Sequence, residues 1–344
     1  MTTTPPPPSN DDAINDGEIL EGQILPIPDP QESARLLGAG GAGSAPGRNA
    51  DYRSGFVALI GRPNVGKSTL LNQLVGQKVA ITSPVAQTTR NRLRAILTTP
   101  AAQLVLLDTP GIHKPHHLLG ERLVQSARGA IGEVDVVLLL VDGSEPAGRG
   151  DGFIVELLQH SRAPVHVALN KADLVDPARA DELAASYRDL VGDWPLHPVS
   201  ALNGEGTEAL VTALSAELPP GPQLYPADAV SDQPEQLLMA ELIREQVLSH
   251  TREEVPHSVA VSIDRVVDDG PRTAVLATVL VERSSQKGIL IGKGGSMLKT
   301  IGQGARLQME KVFSGPVYLE LFVKVVPNWR RSAARLAELG YRGD

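Results

Sequence analysis

The chain has 344 residues, of which 42% are hydrophobic, 21% charged and 3% aromatic, with a formal net charge of −8 and no cysteine. That length suits two domains rather than one. The absence of cysteine excludes disulfides, thiolate metal sites and cysteine nucleophiles. The longest apolar run, 136–141, falls far short of the roughly 20 residues a membrane-spanning helix needs. The N-terminus lacks the basic and apolar regions of a signal peptide. A cytoplasmic monomer is therefore the expectation.

Residues 1–54 carry a proline run from Pro5 to Pro8, scattered acidic residues and a Gly/Ala/Ser/Pro tract over 38–47. Such a segment buries too little apolar surface to offset its chain entropy, so a disordered tail is expected. From Phe56 the pattern changes. Residues 56–60, 104–107, 136–141 and 165–169 are continuous apolar runs, as in parallel strands covered on both faces. This block, 55–218, ends at a Pro-rich linker over 219–236 that opens with Pro219-Pro220-Gly221-Pro222. The second block, 237–344, predicts a helix over 237–254, strands over 258–263 and 274–281, and two short helices around a Gly-rich turn. An alternating strand over 317–325 and a last helix over 328–339 follow.

Gly61-Arg62-Pro63-Asn64-Val65-Gly66-Lys67-Ser68, followed by Thr69, fits the phosphate-loop pattern. Glycines let successive backbone N–H groups turn inward toward phosphate oxygens, and the helix starting near Lys67 adds its positive end. In such a loop Lys67 reaches the β- and γ-phosphates and the Ser68 hydroxyl binds Mg²⁺. Asp108-Thr109-Pro110-Gly111 follows the 104–107 run. There Asp108 would hold Mg²⁺ through water, and the Gly111 N–H would meet the γ-phosphate. Asn170-Lys171-Ala172-Asp173 follows the 165–169 run. A carboxylate at Asp173 accepts from both N1–H and the 2-amino group of guanine, a donor pair adenine lacks, which selects GTP or GDP. Ser200-Ala201-Leu202 would give a backbone contact to guanine O6. Each cluster alone is weak, but all follow strand carboxyl ends, where open α/β sheets bind ligands.

Gln87-Thr88-Thr89-Arg90 lies where a first switch belongs, with a threonine hydroxyl capping Mg²⁺ while the γ-phosphate is present. Thr89 is favoured and Thr88 stays open. Ile112 stands where Ras-like GTPases carry the glutamine that orients the attacking water, and isoleucine cannot do this. Asn64 is the next candidate participant. Related GTPases with asparagine there hold a K⁺ ion across the phosphates, which predicts slow, K⁺-stimulated hydrolysis. His113, His116 and His117 are expected in a mobile second-switch loop rather than a metal site.

In the second block Gly292-Lys293-Gly294-Gly295 is a Gly-x-x-Gly turn, the type that packs against a nucleic-acid backbone. Lys287, Lys293 and Lys299 surround it. From 283 to 344 eleven basic residues stand against four acidic ones, within an acidic chain. That local excess points to a polyanion.

Together these motifs resemble the translation-factor and Ras-like GTPases. Over about 55–342 the chain resembles the Era-like family of bacterial ribosome-assembly GTPases. The resemblance rests on the clusters above, on Glu254-Val255-Pro256-His257-Ser258, and on Gly288-Ile289-Leu290-Ile291 leading into the Gly-rich turn. It implies an α/β P-loop GTPase domain, with a mostly parallel sheet and helices on both faces, followed by an α+β type II KH domain. It implies Asn64, Lys67, Thr89 and Gly111 as the catalytic set. It further implies binding near the 3′ end of small-subunit ribosomal RNA, association with the maturing 30S subunit, and occasional peripheral contact with the inner face of the membrane.

Overall fold

The computed structural model describes residues 51–339 apart from 84, 86, 87, 90–92, 113–120, 122–124, 126–128 and 269. Residues 1–50 of the expected tail and the three switch-loop histidines lie outside the described residues. The last two residues expected in the tail, Arg53 and Ser54, instead begin the first strand, where their backbone pairs with the neighbouring strand. Among the described residues no helix is long and apolar enough to cross a membrane.

The first part is a six-stranded sheet in the order β2-β3-β1-β4-β5-β6. Its strands are β1 Arg53–Gly61, β2 Leu93–Thr98, β3 Ala102–Asp108, β4 Val136–Asp142, β5 Val165–Asn170 and β6 Leu196–Pro198. All neighbours run parallel except β2, which is antiparallel to β3. β3 and β5 are buried at every position, as strands covered on both faces must be. Helices α1 Lys67–Val75 and α4 Thr207–Glu217 cover one face with Leu70, Leu71, Leu210 and Leu214. Helices α2 Arg149–Leu158 and α3 Ala180–Val191 cover the other with Ile154, Val155, Leu158 and Tyr187. Each such fully buried aliphatic side chain contributes on the order of 1.5–3 kcal/mol.

β1 lies between β3 and β4, so the strand order reverses at its carboxyl end. The register aligns the motif-bearing tips: Leu59 pairs with Asp108, and Asp142 with Asn170.

The second part is a mixed three-stranded sheet. β7 Ala260–Asp268 is antiparallel to β8 Thr273–Val281, and β8 is parallel to β9 Val317–Val325. Helices α5 Glu235–His250, α7 Ser284–Ile291 and α8 Ser296–Val312 pack on one face through Leu242, Ile243, Val247, Leu290, Ile301 and Met309. On the other face buried Trp329 donates from Nε1 to the Ser258 carbonyl at 2.9 Å and packs with Ala260 and Leu336.

Several elements differ from the sequence expectation. β2 was not expected, since its six residues show no clean alternation beside a polar stretch. The helix expected over 237–254 stops at His250, because Thr251 turns extended, and a short helix α6 Val255–Ser258 with proline in its first turn follows. The strand expected from 258 therefore starts at Ala260, and it continues past a bulge to Asp268. The helix expected over 328–339 breaks into a 3₁₀ turn Trp329–Arg331 and α9 Ala333–Glu338, with Ser332 extended between them. The 219–236 stretch is strapped to the first sheet: Ser54 N–H bonds the Pro219 carbonyl, and Ile96 N–H that of Val230.

Candidate functional site

The loop after β1 turns through two left-handed residues, Asn64 at φ 64° and Gly66 at φ 98°. Glycine is needed at the second. A Cβ there would stand 2.3 Å from Asn170 Nδ2, which itself donates to the Val65 carbonyl at 2.7 Å. The guanine-type motif thus braces the phosphate-type loop directly. Lys67 is buried and donates to the carbonyls of Gly61 at 3.1 Å and Arg62 at 2.9 Å. Burial pushes its ammonium down to about 8, against the attraction of Asp108. An arriving phosphate would restore its preference for the proton.

Three oxygen donors converge beside it. Ser68 Oγ donates to Asp108 Oδ2 at 2.7 Å, Thr89 Oγ1 donates to the same atom at 3.0 Å, and the two hydroxyls lie 2.9 Å apart. Asp108 Oδ1 is buried without a hydrogen-bond partner. Burial pushes this carboxyl up, while Lys67 and the two hydroxyls pull it down. Hard oxygens of this kind, with one buried carboxylate atom left over, fit a hard dication such as Mg²⁺. Of the two threonines left open in the sequence, Thr88 turns its Oγ1 to the Val85 carbonyl at 2.6 Å, and Thr89 faces the cluster.

Other expected residues are placed differently. Arg62 donates from Nε to Asp151 of α2 at 2.7 Å. Thr109 is buried with its hydroxyl on the Leu59 carbonyl at 2.7 Å, which ties it to β1. Pro110 is buried beside it. Gly111 comes so close to the loop that a Cβ would lie 2.8 Å from Pro63 N. Ile112 places its side chain in the core with Ile60 and Val137, so it has no access to a reacting water.

At the guanine end, Ser200 Oγ donates to Asp173 Oδ1 at 2.5 Å, and Ala201 N–H donates to Asn170 Oδ1 at 2.9 Å. The Ala201 amide thus ties this cluster to the Asn170 motif. Leu202 is 75% exposed at the rim. Lys171, at φ 66°, reaches Asp142. A cavity of about 400 Å³ joins Pro63, Asn64, Gly66 through Thr69, Thr89, Gly111 and Lys171.

In the second part Gly292, Gly294 and Gly295 all take positive φ, of 70°, 61° and 81°. A side chain at Gly292 would strike Met297, and the space over Gly294 and Gly295 is open. Lys293 and Lys299 are exposed beside the turn, and Lys287 is half-buried on α7. A groove of about 380 Å³ runs between α8 and β9 from Gly295 past Leu298, Lys299 and Arg306 to Leu319 and Leu321. Sequence reasoning missed Arg306 and these leucines as groove residues. The helical period of α8 and the alternation of β9 carried the signal. It also missed the contacts of α5, whose Glu245 accepts from Thr82 N–H at 2.9 Å and pairs with Lys78 at 2.6 Å.

Residues 56–171 match the family described as 50S ribosome-binding GTPase, and residues 254–330 match the KH domain family. The GTPase Era of Synechocystis sp. is 60% identical over 295 residues, covering 85% of this chain and 94% of the relative. The chain belongs to the Era family of GTPases. The GTPase Era of Nostoc sp. is likewise 60% identical, over 301 residues, 87% of this chain and 93% of its own. Two solved Era structures each align at a TM-score of 0.80, covering 84% of this chain and 99% of theirs. One is Era with MgGDPNP and nucleotides 1506–1542 of 16S ribosomal RNA, at 40% identity. The other is a single-residue variant of Aquifex aeolicus Era bound to GDP·AlF₄⁻, at 39%. This Era-family chain is thus a P-loop GTPase carrying a C-terminal KH domain.

Proposed function

We propose that the protein is a GTP-driven switch that binds small-subunit ribosomal RNA near its 3′ end through the KH domain, assists maturation of the 30S subunit, and leaves when GTP is hydrolysed. The observation that carries this is the Era–16S RNA structure that the chain matches over 84% of its length, with the Gly292–Gly295 turn and its lysines in place. We take 55–218 as the GTPase domain and 237–344 as the RNA-binding one.

In the nucleotide site Lys67 neutralises phosphate charge, and the Gly111 N–H faces the γ-phosphate. Asp173 accepts from the guanine edge while Asn170 holds the loops together. Ser68, Thr89 and Asp108 are the Mg²⁺-binding set. Bound there, Mg²⁺ would offset the charge that builds on the phosphates. With Ile112 in the core, catalysis rests on positioning and charge rather than on a side chain holding water, which supports slow intrinsic turnover. Asn64, at the mouth of the same cavity, is the residue for a K⁺ ion. Rates equal in K⁺ and Na⁺, with Asn64→Ala unimpaired, would remove that role.

The protein is read as a cytoplasmic monomer that touches the inner face of the membrane peripherally. The direct test is binding of the 3′-terminal small-subunit RNA segment, with GTP analogue and with GDP. The Lys293→Ala/Lys299→Ala pair should weaken binding and flatten its log–log salt dependence by about 0.7 per lost phosphate contact. Unchanged affinity and slope would refute the KH assignment and favour a protein partner.

A further inference from the structure

Helix α5 lies in the RNA-binding half of the sequence, yet two consecutive charged residues on it are buried against the nucleotide-binding half. Glu245, 4% exposed, holds Thr82 N–H and Lys78, and Lys78 also reaches Gln308 of α8 at 3.2 Å. Arg244, 1% exposed, donates from Nη2 to the main-chain carbonyl of Thr88 and from Nε to Glu241 at 2.9 Å. Between these anchors Ile81 is buried in the KH core with Leu242 and Ile243, and Val85 packs against it.

Burying a guanidinium is costly unless its donors are matched in geometry. A surface side chain would hold a loop more cheaply, so the position is specified for orientation. The peptide unit is planar. A donor fixed on the Thr88 carbonyl therefore fixes the plane that delivers Thr89, the residue whose hydroxyl meets Ser68 and Asp108.

We infer that Arg244 is a positioning residue for Thr89: the first helix of the RNA-binding domain holds the threonine at the Mg²⁺-binding hydroxyl and carboxylate. The inference rests on reading Thr89 as the Mg²⁺ cap. It makes GTP affinity depend on how α5 is seated. By linkage, the seating of α5 depends on bound GTP to the same degree.

The test uses the full chain with Arg244→Met, near-isosteric but without donors, alongside Arg244→Lys and Thr89→Ala. Three quantities are measured: affinity for a non-hydrolysable GTP analogue and for GDP, the Mg²⁺ concentration giving half-maximal hydrolysis, and hydrogen exchange over residues 82–93 without nucleotide. Thermal unfolding verifies that each variant folds. Arg244→Met should lose about tenfold in GTP-analogue affinity while GDP affinity stays within about twofold. Its Mg²⁺ requirement should rise and the 82–93 amides should exchange faster, with Arg244→Lys intermediate. A folded Arg244→Met with the wild-type GTP/GDP ratio and exchange, beside a Thr89→Ala that loses discrimination, overturns the role of Arg244 alone. Thr89→Ala with full discrimination overturns the reading of Thr89 beneath it. Should Arg244→Met fail to fold, Arg244→Lys and Glu241→Gln, which loosens the guanidinium without removing it, carry the same comparison.

Discussion

Replacing Lys67 by methionine separates what this residue does for the nucleotide from what it does to the fold. Unfolded, its amine holds a proton up to 10.5; folded and free of nucleotide, it releases it near 8. At about 1.4 kcal/mol per unit, the buried charge costs the nucleotide-free protein roughly 3 kcal/mol at pH 7. Between pH 8 and 10.5 the unfolded chain binds more protons than the folded one, so stability rises with pH across that window. The cost falls to about 2 kcal/mol at pH 9 and under about 1 kcal/mol at pH 10. Methionine has no such slope. It also leaves the carbonyls of Gly61 and Arg62 without the Lys67 donor, an offset of about 1 kcal/mol each that does not vary with pH. The diagnostic is therefore the pH trend of the difference, not its absolute value. Urea unfolding of nucleotide-stripped wild type and Lys67→Met from pH 7 to 10 should show the wild type gaining about 2–3 kcal/mol on the variant. Adding GTP should stabilise the wild type only. Parallel profiles across the range would refute the claim that Lys67 is held as a buried, destabilising charge awaiting phosphate.

Gly66→Ala should cost at least about tenfold in GTP affinity by calorimetric titration, because a Cβ at φ 98° collides with the Asn170 amide. Asp173→Asn should lower GTP affinity by about 2–4 kcal/mol and raise affinity for xanthosine triphosphate, since an amide donor suits the xanthine 2-oxygen; competition binding reads both. Trp329→Phe removes the donor to the Ser258 carbonyl and should destabilise the protein by about 1–3 kcal/mol in denaturant melts, with GTP binding unaltered.

The phosphate loop was legible because its chemistry is local. Two glycines, a lysine and a serine at fixed spacing after an apolar run form a ligand cradle from neighbouring backbone alone. The aspartate and asparagine clusters could be read for the same reason, each riding on the tip of a strand whose buried character shows in its composition. The Gly-x-x-Gly turn and its lysines likewise follow from short-range pattern. Which side chains face inward did not follow. Thr88 and Thr89 are chemically equivalent in sequence, and only the folded chain turns one to Val85 and the other to Asp108. The side-chain partners of Thr109 and Arg62, on the first strand and on α2, could not be read from position either. The seating of α5 against Lys78 and Thr88 joins groups more than 150 positions apart. No periodicity records such a distance. Ile81 is buried in the hydrophobic core of the second domain, and burial of that kind is decided only when both halves have folded.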